Sequence, residues 1–407
     1  MLAAQFFTTI NSKIFFDTLK FFSYKLPYIK YGQDVDRLMS NLKNYLNAEA
    51  SRAYSFYNGR SALFWWLKFL PDNEKNEIIV SAYTCVSVVN AVKQAGYKAV
   101  YADIDDTLNT PLESIKSKVS DKTKAIIVQH TFWNPASVDE IINFAKSHNI
   151  FVIEDCAHAL WSGIWDKKVW TFWDMSIFSF WRDKVISWVT GWVLLVNNED
   201  IKPNPKLFMP SSRVVFQNLM YNIIAYLAWK TYDIKLWKVL MYVANKFKLI
   251  PPILTPNEKA CNFDNFYFAL PNSLAYLALQ QLKILDKINT HRKQIAELYI
   301  NNLSKKVKFP SVKPFYNNIY FWVPVFVPTE KIDEIIRLGK KNNIYFWIYW
   351  SGQNIVPKGS SLESCDYKLW SCPTAEKLSK QILILPNHYQ VSLKNAKKVI
   401  DLLYKVL

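Results

Sequence analysis

Glycine is nearly missing from this chain. Eight glycines occur in 407 residues, where ordinary usage would give roughly 28. Glycine serves where the backbone needs φ > 0 or a close approach, so other residues must fill such places here. Cysteine is also sparse. Cys85, Cys156, Cys261, Cys365 and Cys372 make an odd number, and none forms a C-x-x-C pair. That argues against a zinc site and a disulfide framework and fits a reducing cytoplasm. Long apolar runs are lacking too. The opening MLAAQFFTTINSKIFFDTLKFF is interrupted by Lys13, Asp17 and Lys20, which excludes a signal peptide or a membrane span. Asn218–Trp229 is apolar but too short to cross a bilayer. No basic run interleaves with base-stacking aromatics, so nucleic acid is not an expected partner. Internal repeats and low-complexity tracts are absent.

What is present is a core. Apolar residues make up 51% of the chain and aromatics 16%. This length suits two domains, or one large domain with a smaller companion. The net charge of +17 reads first as a lysine-rich composition. Its functional readings are attraction of anionic substrates or of an anionic membrane surface. Tryptophan numbers 16, twice the glycine count.

Along the chain, residues 1–50 read as one or two amphipathic helices broken at Pro27. Asn58-Gly59-Arg60-Ser61-Ala62 reads as a turn opening a helix, and a helix N-terminus is a natural phosphate site. Strands are expected at Glu77–Ser81, Ala99–Asp103, Lys124–His130 and Ile150–Asp155. Helices are expected at Val86–Ala95, Pro111–Val119 and Ser137–His148. Apolar strands alternating with helices imply a mostly parallel sheet flanked by helices. Ligands of such sheets bind beyond the strand C-termini. Those ends carry Tyr83-Thr84, Asp103, His130-Thr131 and Asp155. Residues 205–256, with Lys230, Lys235, Lys238, Lys246 and Lys248, read as basic amphipathic helices. They suit packing against the core or a dimer partner, with a membrane surface as the alternative. Later, Asn318–Phe326 and Ile344–Tyr349 read as strands and Glu330–Lys341 as a helix.

Asp174–Trp192 is the most informative stretch. Ile177-Phe178-Ser179-Phe180 carries one hydroxyl, Lys184 follows, and Thr190-Gly191 precedes the apolar strand Val193–Val196. An apolar setting favours an uncharged, nucleophilic amine, the form needed for Schiff-base chemistry with an aldehyde cofactor. FSF-x-x-x-K with a following Thr-Gly resembles the lysine motif of the DegT/StrS-type sugar aminotransferases, pyridoxal phosphate (PLP) enzymes of fold type I. The likeness runs from about Asn58 to the C-terminus. It implies that Lys184 carries the cofactor and that Ser179 contacts its phosphate. Glu154-Asp155-x-Ala-His158 resembles the family's ED-x-A-(Gln/His) motif. Asp155 would pair with the pyridine nitrogen, and His158 would lie against the ring. Glu154 should point to the other side of its strand. By the same likeness Gly59, Arg60, Ser61 and Thr84 surround the phosphate. The ring-stacking aromatic aligns with Cys85, so either Tyr83 or Phe132 supplies that contact or it is lost.

The resemblance also locates the missing glycines. Trp133, Trp161, Trp165, Trp170, Trp173, Trp192 and Trp370 stand where the family pattern has glycine, and Trp181 and Trp188 extend the set. Tryptophan is the poorest replacement for either use of glycine. The coincidence follows if these positions are UGA codons that the source reads as glycine.

The expected architecture is a large PLP-binding α/β domain and a smaller C-terminal α/β domain. Its divisions are 1–50, 51–256 and 257–407. The expected activity is transfer of an amino group from an amino acid, glutamate foremost, to a nucleotide-linked keto-sugar by a cytoplasmic homodimer. The rival expectations are a PLP sugar dehydratase, disfavoured by Lys184, and a binding or regulatory protein with a decayed site. No metal is expected.

Overall fold

The computed structural model describes residues 2–4, 9–71, 73–164, 167–169, 174–187, 189–199, 201–252, 257, 267–313, 316–348 and 361–407. Its first strand, β1 (Leu2–Ala3), is followed by helices α1 (Ser12–Tyr24) and α2 (Asp34–Leu46), with Pro27 in a 3₁₀ turn between them. Then come β2 (Arg52–Phe56), α3 (Gly59–Lys68), β3 (Glu77–Ser81), α4 (Val86–Gln94), β4 (Lys98–Ala102), α5 (Leu112–Lys116), β5 (Thr123–Gln129), α6 (Val138–Ser147) and β6 (Phe151–Asp155). Short strands β7 (Gly163–Ile164) and β8 (Lys167–Lys168) precede β9 (Met175–Ser179) and β10 (Trp192–Val196).

A seven-stranded sheet runs in the order β2-β10-β9-β6-β5-β3-β4. The pairs from β4 through β9 are parallel, and β10 is antiparallel to both of its neighbours. Every residue of β5 is buried, as expected of a central strand covered on both faces. Helix α6 turns Val138, Ile141, Ile142 and Ala145 inward and leaves its acidic first turn outside. Helix α4 ends before Gly96, whose φ is 92°, the left-handed stop that glycine supplies. Helix α5 is shorter than the pattern suggests. Lys118 and Val119 donate to carbonyls three residues back, a tightened turn that redirects the chain into β5.

The register places the chemistry. Asp155 closes β6 opposite Gln129 of β5 and Ile177 of β9. Ser179 closes β9 opposite Trp192 of β10. The C-terminal edge of the parallel strands thus gathers Asp155, Ser179 and Trp192, whereas Asp174 lies at the opposite edge, beside Val152 at the start of β6.

Two helices, α7 (Ser212–Lys230) and α8 (Trp237–Lys246), follow the sheet. The remaining chain begins with helix Asn272–Leu282, which packs on α1 and α2 in the main core, and then builds helices Leu285–Leu303, Thr329–Lys341 and Leu393–Val406 around the antiparallel pair Val323–Phe326 and Ile382–Leu385. Ile295, Tyr299, Val325, Leu383, Val399 and Leu403 lie in a core cluster of that region. The strand expected from Asn318 begins only at Val323, because Tyr320 turns the backbone at φ 47°. The first residues also differ from a purely helical opening. Leu2 pairs in parallel with Ile344 and sits in the C-terminal core.

Candidate active site

Asp155 ends β6, His158 stands in the loop that follows it, and Lys184 stands in the loop that leaves the adjacent strand β9. Lys184 Nζ lies 2.7 Å from His158 Nε2. The Phe132 amide donates to His158 Nδ1 at 3.4 Å. The ring donates across the Nε2–Nζ contact when the amine is neutral, and the ammonium donates to Nε2 when Lys184 is charged. All three side chains are buried, His158 and Asp155 at 5% exposure and Lys184 at 8%. Burial, reinforced by the neighbouring Lys184 charge, pushes the His158 pKa well below the ordinary histidine value. This imidazole is therefore neutral at physiological pH. Burial raises the Asp155 pKa, while the Ala157 amide, donating at 3.0 Å, and the Lys184 charge oppose that rise. The Phe132 ring lies nearly parallel to the His158 ring, 9° apart with centroids at 5.9 Å, and Tyr83 meets Phe132 edge-on.

Glu154 points the other way, as strand alternation requires. Its carboxylate accepts a hydrogen bond from His130 Nε2 at 2.8 Å, and His130 Nδ1 accepts from the Ala136 amide at 3.0 Å. Cys156 brings its sulfur within 4.8 Å of that pair. Both His130 nitrogens are already engaged, so the trio reads as a buried hydrogen-bonded prop behind Asp155 rather than a metal centre.

The expected phosphate side is assembled differently. Asn58 caps α3, accepting from the Ser61 amide at 2.9 Å and the Ser61 hydroxyl at 3.0 Å. Arg60 occupies the second position of that helix. The Ser179 hydroxyl accepts from the Trp181 amide at 3.4 Å. Thr84 spends its hydroxyl on Gln129 at 2.7 Å. The Trp192 ring packs on Gly59 so tightly that a Cβ there would lie 2.2 Å from it.

Several residues that the sequence did not single out complete the site. Lys184 Nζ lies 5.5 Å from the Trp322 ring centroid and 5.9 Å from that of Phe321. These rings come from the chain beyond residue 318, which the Tyr320 turn aims at the sheet edge. The loop after Lys184 is pinned from two helices. Arg292 donates to the Val185 carbonyl at 2.8 Å, and Gln281 accepts from the Ser187 amide at 3.1 Å. Arg292 is wholly buried, and desolvation pulls its pKa down to about 9. Nothing local in the sequence links residues a hundred positions apart, so these partners were not legible.

The backbone singles out three of the tryptophans marked by the sequence, and not Trp181 or Trp192. Trp133, Trp161 and Trp370 have φ values of 113°, 84° and 67°. No other described tryptophan has a positive φ. A bulky L-residue in that region is strained by about 1–2 kcal/mol. Trp165, Trp170, Trp173 and Trp188 lie outside the described residues, as do Cys261 and the segment before Tyr267.

The model of the DegT/DnrJ/EryC1/StrS aminotransferase family matches residues 24–228 and 263–404. The chain belongs to that family. The match begins earlier than the local motifs indicated and leaves out residues 229–262. GDP-perosamine synthase of Escherichia coli O157:H7 is 27% identical over 281 residues, which cover 69% of this chain and 66% of that protein. The solved aminotransferase PseC of Helicobacter pylori, involved in pseudoaminic acid biosynthesis, superposes over 100% of this chain and 98% of its own, with TM-score 0.75 and 18% identity. Spr1654 of Streptococcus pneumoniae, solved in a PLP form, gives a TM-score of 0.74 at 18% identity, with 100% of both chains covered. At such identities the two structures show the fold, which is that of the PLP aminotransferases. PLP is the family's cofactor, and the donor set here fits it: one buried amine, one buried carboxylate and a neutral imidazole at a sheet edge.

Proposed function

We propose that this protein transfers an amino group from an amino acid, glutamate first among candidates, to a nucleotide-linked keto-sugar. The observation carrying the reading is the convergence of Lys184, His158 and Asp155 at the C-terminal edge of the parallel strands. When bound, PLP supplies an electron sink that lets a proton leave the amino-acid carbon. Lys184 would hold the cofactor, and its amine, once released, would take that proton and return it. Asp155 would keep a negative charge beside the pyridine nitrogen. Neutral His158 would orient the lysine by its 2.7 Å contact without competing for the proton. Phe132, Phe321 and Trp322 would exclude water from the amine. The helix α3 turn and Ser179 would hold the phosphate. Because two relatives are named GDP-perosamine synthases, a substrate panel would begin with GDP-linked keto-sugars. A homodimer in a reducing compartment completes the proposal; the four described cysteines are free thiols.

The test is a two-half-reaction assay. Purified protein with PLP should change its cofactor absorption on adding glutamate and recover it on adding the right keto-sugar. Lys184→Ala should lose both changes. Transamination that persists in Lys184→Ala refutes the assignment. A second reading rests on one contact, the Trp192 ring on Gly59. With tryptophan at 192, the phosphate end is crowded and the chain serves as a binding protein. Measuring PLP affinity before and after Trp192→Gly separates the two.

A further inference from the structure

Residues 229–262 fall between the two stretches that match the family, and their largest described piece is helix α8 with its approaches. Helix α8 buries only Trp237 and Ala244. Its other side exposes Val239 at 55%, Tyr242 at 65% and Val243 at 38%. Leu236 before it and Phe247 after it are exposed at 42% and 64%. Leu236, Val243 and Phe247 follow helical spacing and make one outward apolar line. Lysines 230, 235, 238, 246 and 248 surround this line, and Asp233 is the only acid between residues 229 and 252, so the segment carries five positive charges against one negative. The face is held in place from beneath. Tyr232 donates its hydroxyl to the Asn343 carbonyl at 2.8 Å, and the Trp237 ring meets Tyr345 edge-on at 5.3 Å.

We propose that this face docks on an anionic lipid bilayer, with α8 lying in the headgroup plane. Apolar side chains along one line with lysines around them are the pattern of a helix that sits at a membrane surface, and the charge excess complements acidic lipids. Among the described residues no helix is long and apolar enough to cross a membrane, so attachment would be peripheral. A second copy of the chain is the poorer occupant. A two-fold contact sets the same patch against itself, which would bring one cluster of lysines against another.

Sedimentation with vesicles tests this in the full chain. Purified protein should pellet with vesicles of roughly three parts phosphatidylcholine to one part phosphatidylglycerol and stay in solution with phosphatidylcholine alone. Added salt should release it. Replacing Lys238 and Lys246 by glutamine should lower the partition coefficient about fivefold per lysine, and Phe247→Asp should abolish pelleting. Circular dichroism must show both variants folded, and the glutamine variant keeps the test valid if Phe247→Asp unfolds. Equal binding to neutral vesicles, or none to acidic ones, overturns the proposal. So does a dimer, seen by light scattering, that Phe247→Asp splits while acidic vesicles bind neither form.

Discussion

At the scale of single residues, tryptophan in place of glycine makes the sharpest claims. Trp370 is 80% exposed and sits at φ 67°, so little packing offsets its strain. Trp370→Gly should stabilise the protein by about 1–2 kcal/mol, while Trp370→Ala should gain nothing, since alanine is strained there too. Urea denaturation of the two variants decides it. Trp133 is a less clean probe, because its ring is buried and its removal leaves a cavity. At 192 the expected gain is in binding. Trp192→Gly uncovers the turn at Gly59 and should tighten PLP binding at least tenfold, about 1.4 kcal/mol, in a fluorescence titration. Sequencing the gene tests the common origin. UGA at these positions and UGG at Trp350 and at one of Trp65 and Trp66 is the expected pattern. Much of the candidate site was readable at this scale. Asp155, His158, Ser179 and Lys184 each follow a strand or sit in a short motif whose local spacing survives folding. Phe321 and Trp322 were hidden, since their route to Lys184 depends on a turn at Tyr320 that no local pattern announces.

At the scale of elements, the loop between β9 and β10 governs where the amine points. Its backbone is tied to Gln281 and Arg292, which stand on successive helices. Gln281 is buried, and its side-chain oxygen serves the Ser187 amide. Gln281→Ala would leave that amide without its acceptor, at a penalty of about 1–3 kcal/mol, and loosen Lys184. The expected outcome is a lower kcat with little change in KM for the donor, and glutamate at 281 should restore part of it. A fall in stability with kcat intact would mean the bond is merely structural. Most of the sheet was legible because its strands are apolar runs bounded by turns, but β2, with only Phe56 fully buried, was not read as a strand. The pairing of Leu2 with Ile344 was not. Two-residue strands carry no periodicity, and long-range register is set by packing alone.

At the scale of the whole molecule, buried histidines tie stability to pH. His388 is almost fully buried, and burial pushes its pKa down to about 3, with the bond to Gln390 working against the shift. His158 is displaced in the same direction. A histidine held neutral in the fold takes up its proton only on unfolding. Between its folded and ordinary values the unfolded chain therefore binds more protons, and stability rises with pH. Acidification from the ordinary histidine pKa near 6.5 toward 3 should cost about 1.4 kcal/mol per pH unit for each such group. Asp155 and Glu154 act in the opposite sense. Their raised values mean that the fold takes up protons before the unfolded chain does, which offsets part of the loss below their folded values. His388→Gln keeps a polar side chain of similar reach but cannot titrate. Its urea midpoint should fall less steeply than that of the parent between pH 6 and 4, by about one histidine's share of the slope. Identical slopes in the two proteins would show that His388 is open to water in solution and that the acid sensitivity lies with His158 and its neighbours at the sheet edge.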